Sequence, residues 1–184
     1  MGQLALLRHA VAALDAAGVP YMLTGSYASS LQGQPRATHD IDFVVNLEPW
    51  QIPRLLVAFP EERYYFSMDA IEHAVRDRGM FNILDIEEGD KIDFWLLTGE
   101  PFDQARFERR IEVSLEGGSL WVSTPEDTIL MKLRWSADAG GSERQAHDAK
   151  QVYAVSRDDI DEAYLDRWAA RLGLAASLAA VRAR

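Results

Sequence analysis

The chain has 184 residues, enough for one packed domain or one domain with a small appendage. Hydrophobic residues are 48% and charged residues 26%, ordinary globular usage, and 19 basic against 29 acidic residues leave a formal net charge of −10, which argues against a broad basic face for duplex nucleic acid. The lack of cysteine removes disulfide scaffolds, thiolate zinc, iron–sulfur clusters and thiol catalysis together, and makes the cytoplasm the expected location.

Arg8, His9 and Asp15 interrupt the N-terminal apolar run, and no other stretch reaches the ~18 uncharged residues of a membrane span, so no membrane association is expected. Leu4, Leu7, Val11 and Leu14 recur at helical spacing before Gly18, which predicts an opening amphipathic helix. A short strand is expected over 19–24, running into Gly25-Ser26, then a brief helix over 26–32 closed by Gly33 and Pro35. Residues 40–45 (DIDFVV) alternate acidic and apolar side chains with the period of a strand.

Helices are expected over 49–59 and 68–78, and the runs 81–87 and 91–97 should pair across the turn Glu88-Gly89-Asp90. Pro101 opens a helix to about Arg110, residues 111–123 form a second hairpin around Gly117-Gly118, and Thr124 caps a helix over 125–137. That helix carries Ile129, Leu130 and Leu133 on one face and Met131 with Trp135 on another, so it should pack between the sheet and the last helices. After a loop at 139–142 the pattern is helical from Gln145, with breaks near Ser156 and Gly173 and a cationic helix end over 176–184. Trp95, Trp121, Trp135 and Trp168 lie in apolar patterns and are expected in the core. The expected class is α/β of the α+β type: a small mixed sheet flanked by helices over 1–123, with a helical part over 124–184 packed on it as one structural unit.

The chemistry is concentrated in Gly25-Ser26, Asp40-Ile41-Asp42 and Lys91-Ile92-Asp93. On a strand, Asp40 and Asp42 project from one face with Cα atoms roughly 7 Å apart, while Ile41 and Phe43 turn to a core. Side-by-side carboxylates repel, and a hard cation removes the repulsion. Asp93 repeats the acid-between-apolars pattern on its own strand, so three carboxylates can meet, as a two-metal phosphoryl- or nucleotidyl-transfer centre requires. A strand–Gly–Ser–helix turn lets the backbone approach closely and aims helix N-terminal N–H groups at phosphate oxygens.

In order and type these residues resemble the DNA polymerase β-like nucleotidyltransferase superfamily. Residues 36–42, Thr124-Pro125-Glu126-Asp127 and Met131-Lys132-Leu133 look most like the AbiEii-type bacterial members, although many of those carry a second glycine at the place of Ser26. The resemblance implies a nucleotidyltransferase fold and transfer of a nucleoside monophosphate from a nucleoside triphosphate to an acceptor, an RNA end such as tRNA, a protein hydroxyl or a small molecule, with release of pyrophosphate. It implies Asp40, Asp42 and Asp93 as ligands of two Mg²⁺ ions, with Gly25, Ser26 and Lys132 binding the nucleotide. The alternative it carries is a catalytically silent relative acting as a binding protein or a toxin–antitoxin partner, with an antitoxin-like protein bound. Arg36 is either a phosphate-binding guanidinium or a plain loop residue, and pairing His39 with Asp40 and His147 with Asp148 as helical metal ligands fails because His39-Asp40 enters a strand.

Overall fold

The computed structural model describes residues 2–34, 38, 40–115 and 118–183. Helix α1 (Gln3–Ala17) ends as expected on Gly18, whose φ of 67° is the left-handed cap that glycine adopts without strain. Its buried stripe is Leu6, Leu7, Ala10, Ala13, Leu14 and Ala17, while Leu4 turns outward. Strand β1 (Tyr21–Thr24) starts after Pro20, which has no N–H to give a ladder. Helix α2 (Gly25–Gln32) and strand β2 (Asp40–Val45) follow within a residue or so of the predicted bounds.

The helix expected over 49–59 is shorter. Glu48 and Gln51 cap each other reciprocally around a 3-10 turn at Pro49–Gln51, and α3 is only Ile52–Leu56, because the chain tightens into i+3 bonds (Ala58 to Leu55, Phe59 to Leu56) ahead of Pro60. A two-residue strand, β3 (Tyr64–Tyr65), has no counterpart in the sequence expectations. Helix α4 (Met68–Asp77), the hairpin β4 (Met80–Asp85) with β5 (Lys91–Leu96), helix α5 (Pro101–Glu108), and the hairpin β6 (Ile111–Leu115) with β7 (Gly118–Val122) complete the first part. Gly117, assigned to the second turn, lies outside the described residues.

These strands make one mixed sheet in the order β3-β4-β5-β2-β1-β7-β6. At its centre β2 lies antiparallel to β1 and parallel to β5. Because side chains alternate, Tyr21, Leu23, Ile41, Phe43, Val45, Ile92, Phe94 and Leu96 fill one face, where α1, α3 and α4 close over them. The rings of Phe43, Phe94 and Phe81 stack across three neighbouring strands. The opposite face carries a small apolar group (Met22 and Val44, with Leu97 and Phe107) and the acids.

Beyond that face come α6 (Pro125–Asp138), α7 (Glu143–Ser156), α8 (Glu162–Arg171) and α9 (Ala175–Arg182), which share a second apolar cluster around Ile129, Leu130, Val152, Leu165 and Trp168. Thr124 is the N-cap, its hydroxyl accepting from the Asp127 N–H. Helix α6 packs against α2, α7, α8 and α9, and among the described residues no helix is long and apolar enough to cross a membrane. The fold class is as expected: a mixed sheet flanked by helices.

Candidate active site

The site starts from two rungs of the sheet. Thr24 stands opposite Asp42 across the antiparallel β1–β2 pair, and Asp42 stands opposite Asp93 across the parallel β2–β5 pair, so both acids share the face that β1 reaches as it turns into α2. That turn is Gly25. Its φ is 67°, and a Cβ there would lie 2.0 Å from Asp42 Oδ2 and 2.8 Å from the Asp42 Cβ. Two independent constraints therefore require glycine: left-handed backbone, and main chain pressed against the carboxylate. Ser26, next in the first turn of α2, accepts a 3.2 Å hydrogen bond from Lys132 Nζ of α6. Lys132 is almost wholly buried and also donates to Asp148 Oδ2 of α7 at 2.8 Å. Such a charge persists out of water only because it is paired, and here the pair ties α6 and α7 to the start of α2.

The acids themselves are unevenly provided for. Burial pushes the Asp42 carboxyl up to about 6, and the charges of Asp93 and Asp40 push the same way against a hydrogen bond from Trp95 and the charge of Lys132. Asp93 is 6% exposed, and its Oδ1 is enclosed without a hydrogen-bond partner. Its Oδ2 lies 2.8 Å from Lys91 Nζ, which is also 3.7 Å from Asp40 Oδ1. The Asp93 hydrogen bond and the surrounding acids hold the Lys91 ammonium above the ordinary lysine range. Among the described residues no three His, Asp or Glu side chains converge on a point that could already hold a metal ion. Even so, the donor set suits a hard divalent cation: three carboxylates on one face, an orphaned buried oxygen on Asp93, and glycine backbone against Asp42.

The structure thus brings Gly25, Ser26, Asp40, Asp42, Asp93 and Lys132 to one patch, while Arg36 and His39 lie outside the described residues. Sequence reasoning gave no role to Lys91, which pairs with Asp93 two residues on and with the remote Asp40, nor to Asp148, the partner of Lys132, nor to Trp95. Trp95 and Trp121 are not core residues: they are 39% and 38% exposed, since each occupies the outward register of its strand. Trp95 instead walls a cleft of about 320 Å³ with Met80, Met131, Arg134, Trp135 and Thr24, the residue that stands opposite Asp42.

No known family profile matches the chain, and no curated protein matches it by sequence. Solved structures do. The lincosamide antibiotic adenylyltransferase LnuA, bound to lincomycin, superposes with a TM-score of 0.56 at 15% identity, covering 81% of this chain and 95% of that one. The antibiotic-resistance factor ANT(2'')-Ia gives 0.58 at 16% identity over 91% and 94% of the two chains, and is also solved with adenylyl-2''-tobramycin. An antigenic nucleotidyltransferase-like protein from Paracoccidioides brasiliensis gives 0.52 at 16% identity over 81% of this chain and 73% of that one. At such identities the likeness is one of architecture, and the architecture is the nucleotidyltransferase fold.

Proposed function

We propose that the protein is a Mg²⁺-dependent nucleotidyltransferase that moves a nucleoside monophosphate from a nucleoside triphosphate to a small hydroxylated molecule and releases pyrophosphate. The observation that carries this is the shared rung of Asp42 and Asp93, closed on one side by the Gly25 backbone. Asp40, Asp42 and Asp93 are the proposed ligands of two ions; when bound, these supply charge neutralisation and in-line polarisation of the attacking and leaving oxygens. Gly25 and Ser26 present backbone N–H groups and a hydroxyl at the start of α2 to the triphosphate, with the Lys132 charge behind them. Asp93, beside Asp42 on the next strand, is in this scheme the carboxylate that takes the proton of the acceptor hydroxyl. Trp95, two residues beyond Asp93 on the same face of β5, lines the cleft that Thr24 also lines.

Among acceptors, a small molecule is supported by the size of the cleft that Trp95 and Thr24 wall, about 320 Å³, by the acidic charge of the chain, and by fold relatives solved with lincomycin and adenylyl-2''-tobramycin. The motifs at 36–42, 124–127 and 131–133 favour the AbiEii-type members within that class, the lack of cysteine favours a cytoplasmic location, and an antitoxin-like partner goes with the catalytically silent alternative. The test is incubation with α-labelled nucleoside triphosphates, Mg²⁺ and cell lysate, followed by separation into RNA, protein and small molecules. Label entering the small-molecule fraction with the wild type and not with Asp42→Asn is expected. Label in RNA or protein overturns the acceptor class, and no label in any fraction overturns the activity.

A further inference from the structure

Lys91 has no role in the scheme above, yet its ammonium stands among the acids of the site. It stands opposite Asp40 in the β2–β5 register and two residues before Asp93, so all three side chains leave the sheet on one face. Its Nζ lies 2.8 Å from Asp93 Oδ2 and 3.7 Å from Asp40 Oδ1, between the two outer members of the acid set. This is where a divalent ion shared by Asp40 and Asp93 would have to sit, and the acids do not yet converge on a metal-sized point. An ammonium and a divalent ion cannot both stand within contact distance of the same two carboxylates, because their mutual repulsion there is poorly screened. The Lys91 side chain is 33% exposed, so its flexible stem can swing to solvent without disturbing the apolar face behind β5.

We infer that the Lys91 ammonium is a resident counter-cation, holding Asp40 and Asp93 in the metal-free protein, and that Asp93 joins metal coordination only when Lys91 withdraws. This rests on the metal-dependent reading of the same site. Lys91 is then a positioning residue: it keeps the acids together on an empty sheet face and makes loading of the ion at Asp93 a competition rather than a simple capture.

The test uses Mn²⁺ alone as the probe, followed by electron paramagnetic resonance with wild type, Lys91→Met, Lys91→Arg and Asp42→Asn. Lys91→Met should bind Mn²⁺ about tenfold more tightly than wild type, and Lys91→Arg, which keeps the charge, should stay near wild type. In the wild type, acylation of Lys91 by an amine reagent, read by mass spectrometry, should rise when Mn²⁺ is added, a readout that needs no variant to fold. Mn²⁺ binding that Asp42→Asn abolishes and Lys91→Met leaves unchanged or weakens overturns this inference alone, as does Lys91 acylation indifferent to saturating Mn²⁺. No Mn²⁺ binding by any of the proteins overturns the metal-dependent reading together with it.

Discussion

The β4–β5 hairpin carries two buried aspartates, one beside its turn and one on the face of β5, and the fold treats them in opposite ways. At the turn, Asp85 is 1% exposed and fully partnered: Oδ2 accepts two hydrogen bonds from Arg63, and Oδ1 accepts from the N–H groups of Glu87 and Glu88. Burial alone would raise its carboxyl, but these donors outweigh burial and hold it below the usual range. On the face, Asp93 keeps an enclosed oxygen with no partner, and its neighbour Asp42 is held up near 6 by burial and like charges. Asp127, buried beneath α8, is again satisfied, accepting from Thr124 at one oxygen and from the Tyr164 hydroxyl at the other. Carboxylates that serve the fold are therefore completed by the fold. On the β2–β5 face one oxygen of Asp93 is left incomplete, a contrast that the proposed metal-binding role would explain.

The sharpest way to break that contrast is to neutralise each kind of acid. Asp42→Asn should lower single-turnover transfer on the order of 10³-fold, the size of a lost metal-held charge, in a protein that remains folded. Asp93→Ala should lose the transfer rate similarly while nucleotide affinity by calorimetry stays within about threefold, since the proposed scheme leaves triphosphate binding to Gly25, Ser26 and the β2 acids. A normal rate in either variant would place that residue with Asp85 as a fold residue. Asp85→Ala should do the reverse, destabilising the protein by about 3 kcal/mol in urea titration because Arg63 and two N–H groups lose their partner, with transfer retained by the folded fraction. Gly25→Ala should cost about 2 kcal/mol, since the strained φ adds to a clash with a strand-fixed Asp42 Cβ, and should weaken triphosphate binding in the same sample.

The smallest effect sharpens the comparison through pH. Asp42 titrates higher in the folded chain than in the unfolded one, so the folded chain binds the proton more tightly and loses stability as pH rises through about 6. Asp85 titrates lower when folded, so its contribution is present at neutral pH and is lost as pH falls below the ordinary carboxylate range. Thermal melts from pH 4 to 8 should show Asp42→Asn gaining on the metal-free wild type as pH rises, reaching about 1–2 kcal/mol after discounting for partial solvent access. A constant gap would mean that Asp42 is solvated rather than crowded.

Much of this face was legible in the sequence because acids are unusual between β-branched and aromatic residues, so 40–45 and 91–96 declared both their period and their polar side. Gly25 was legible as a turn, but its contact with Asp42 depends on the β1–β2 register. Lys91 and Asp148 were not legible as partners of Asp40 and Lys132, since each pairing is created by tertiary packing between distant segments. Trp95 was misjudged because an apolar strand does not state which face is covered, and β3 is too short to carry any periodicity.

The parallel pairing of β2 with β5 has a consequence for how this protein can vary. Parallel neighbours cannot be joined by a tight turn, so everything from 46 to 90 is a detour that returns the chain to the same rung. Insertions or deletions within that detour leave Asp42 and Asp93 face to face as long as the rung is kept, whereas sliding β5 by one residue would turn Asp93 into the apolar layer and bring Phe94 to the acid face. Length is thus free to drift around α3 and α4, and phase is not.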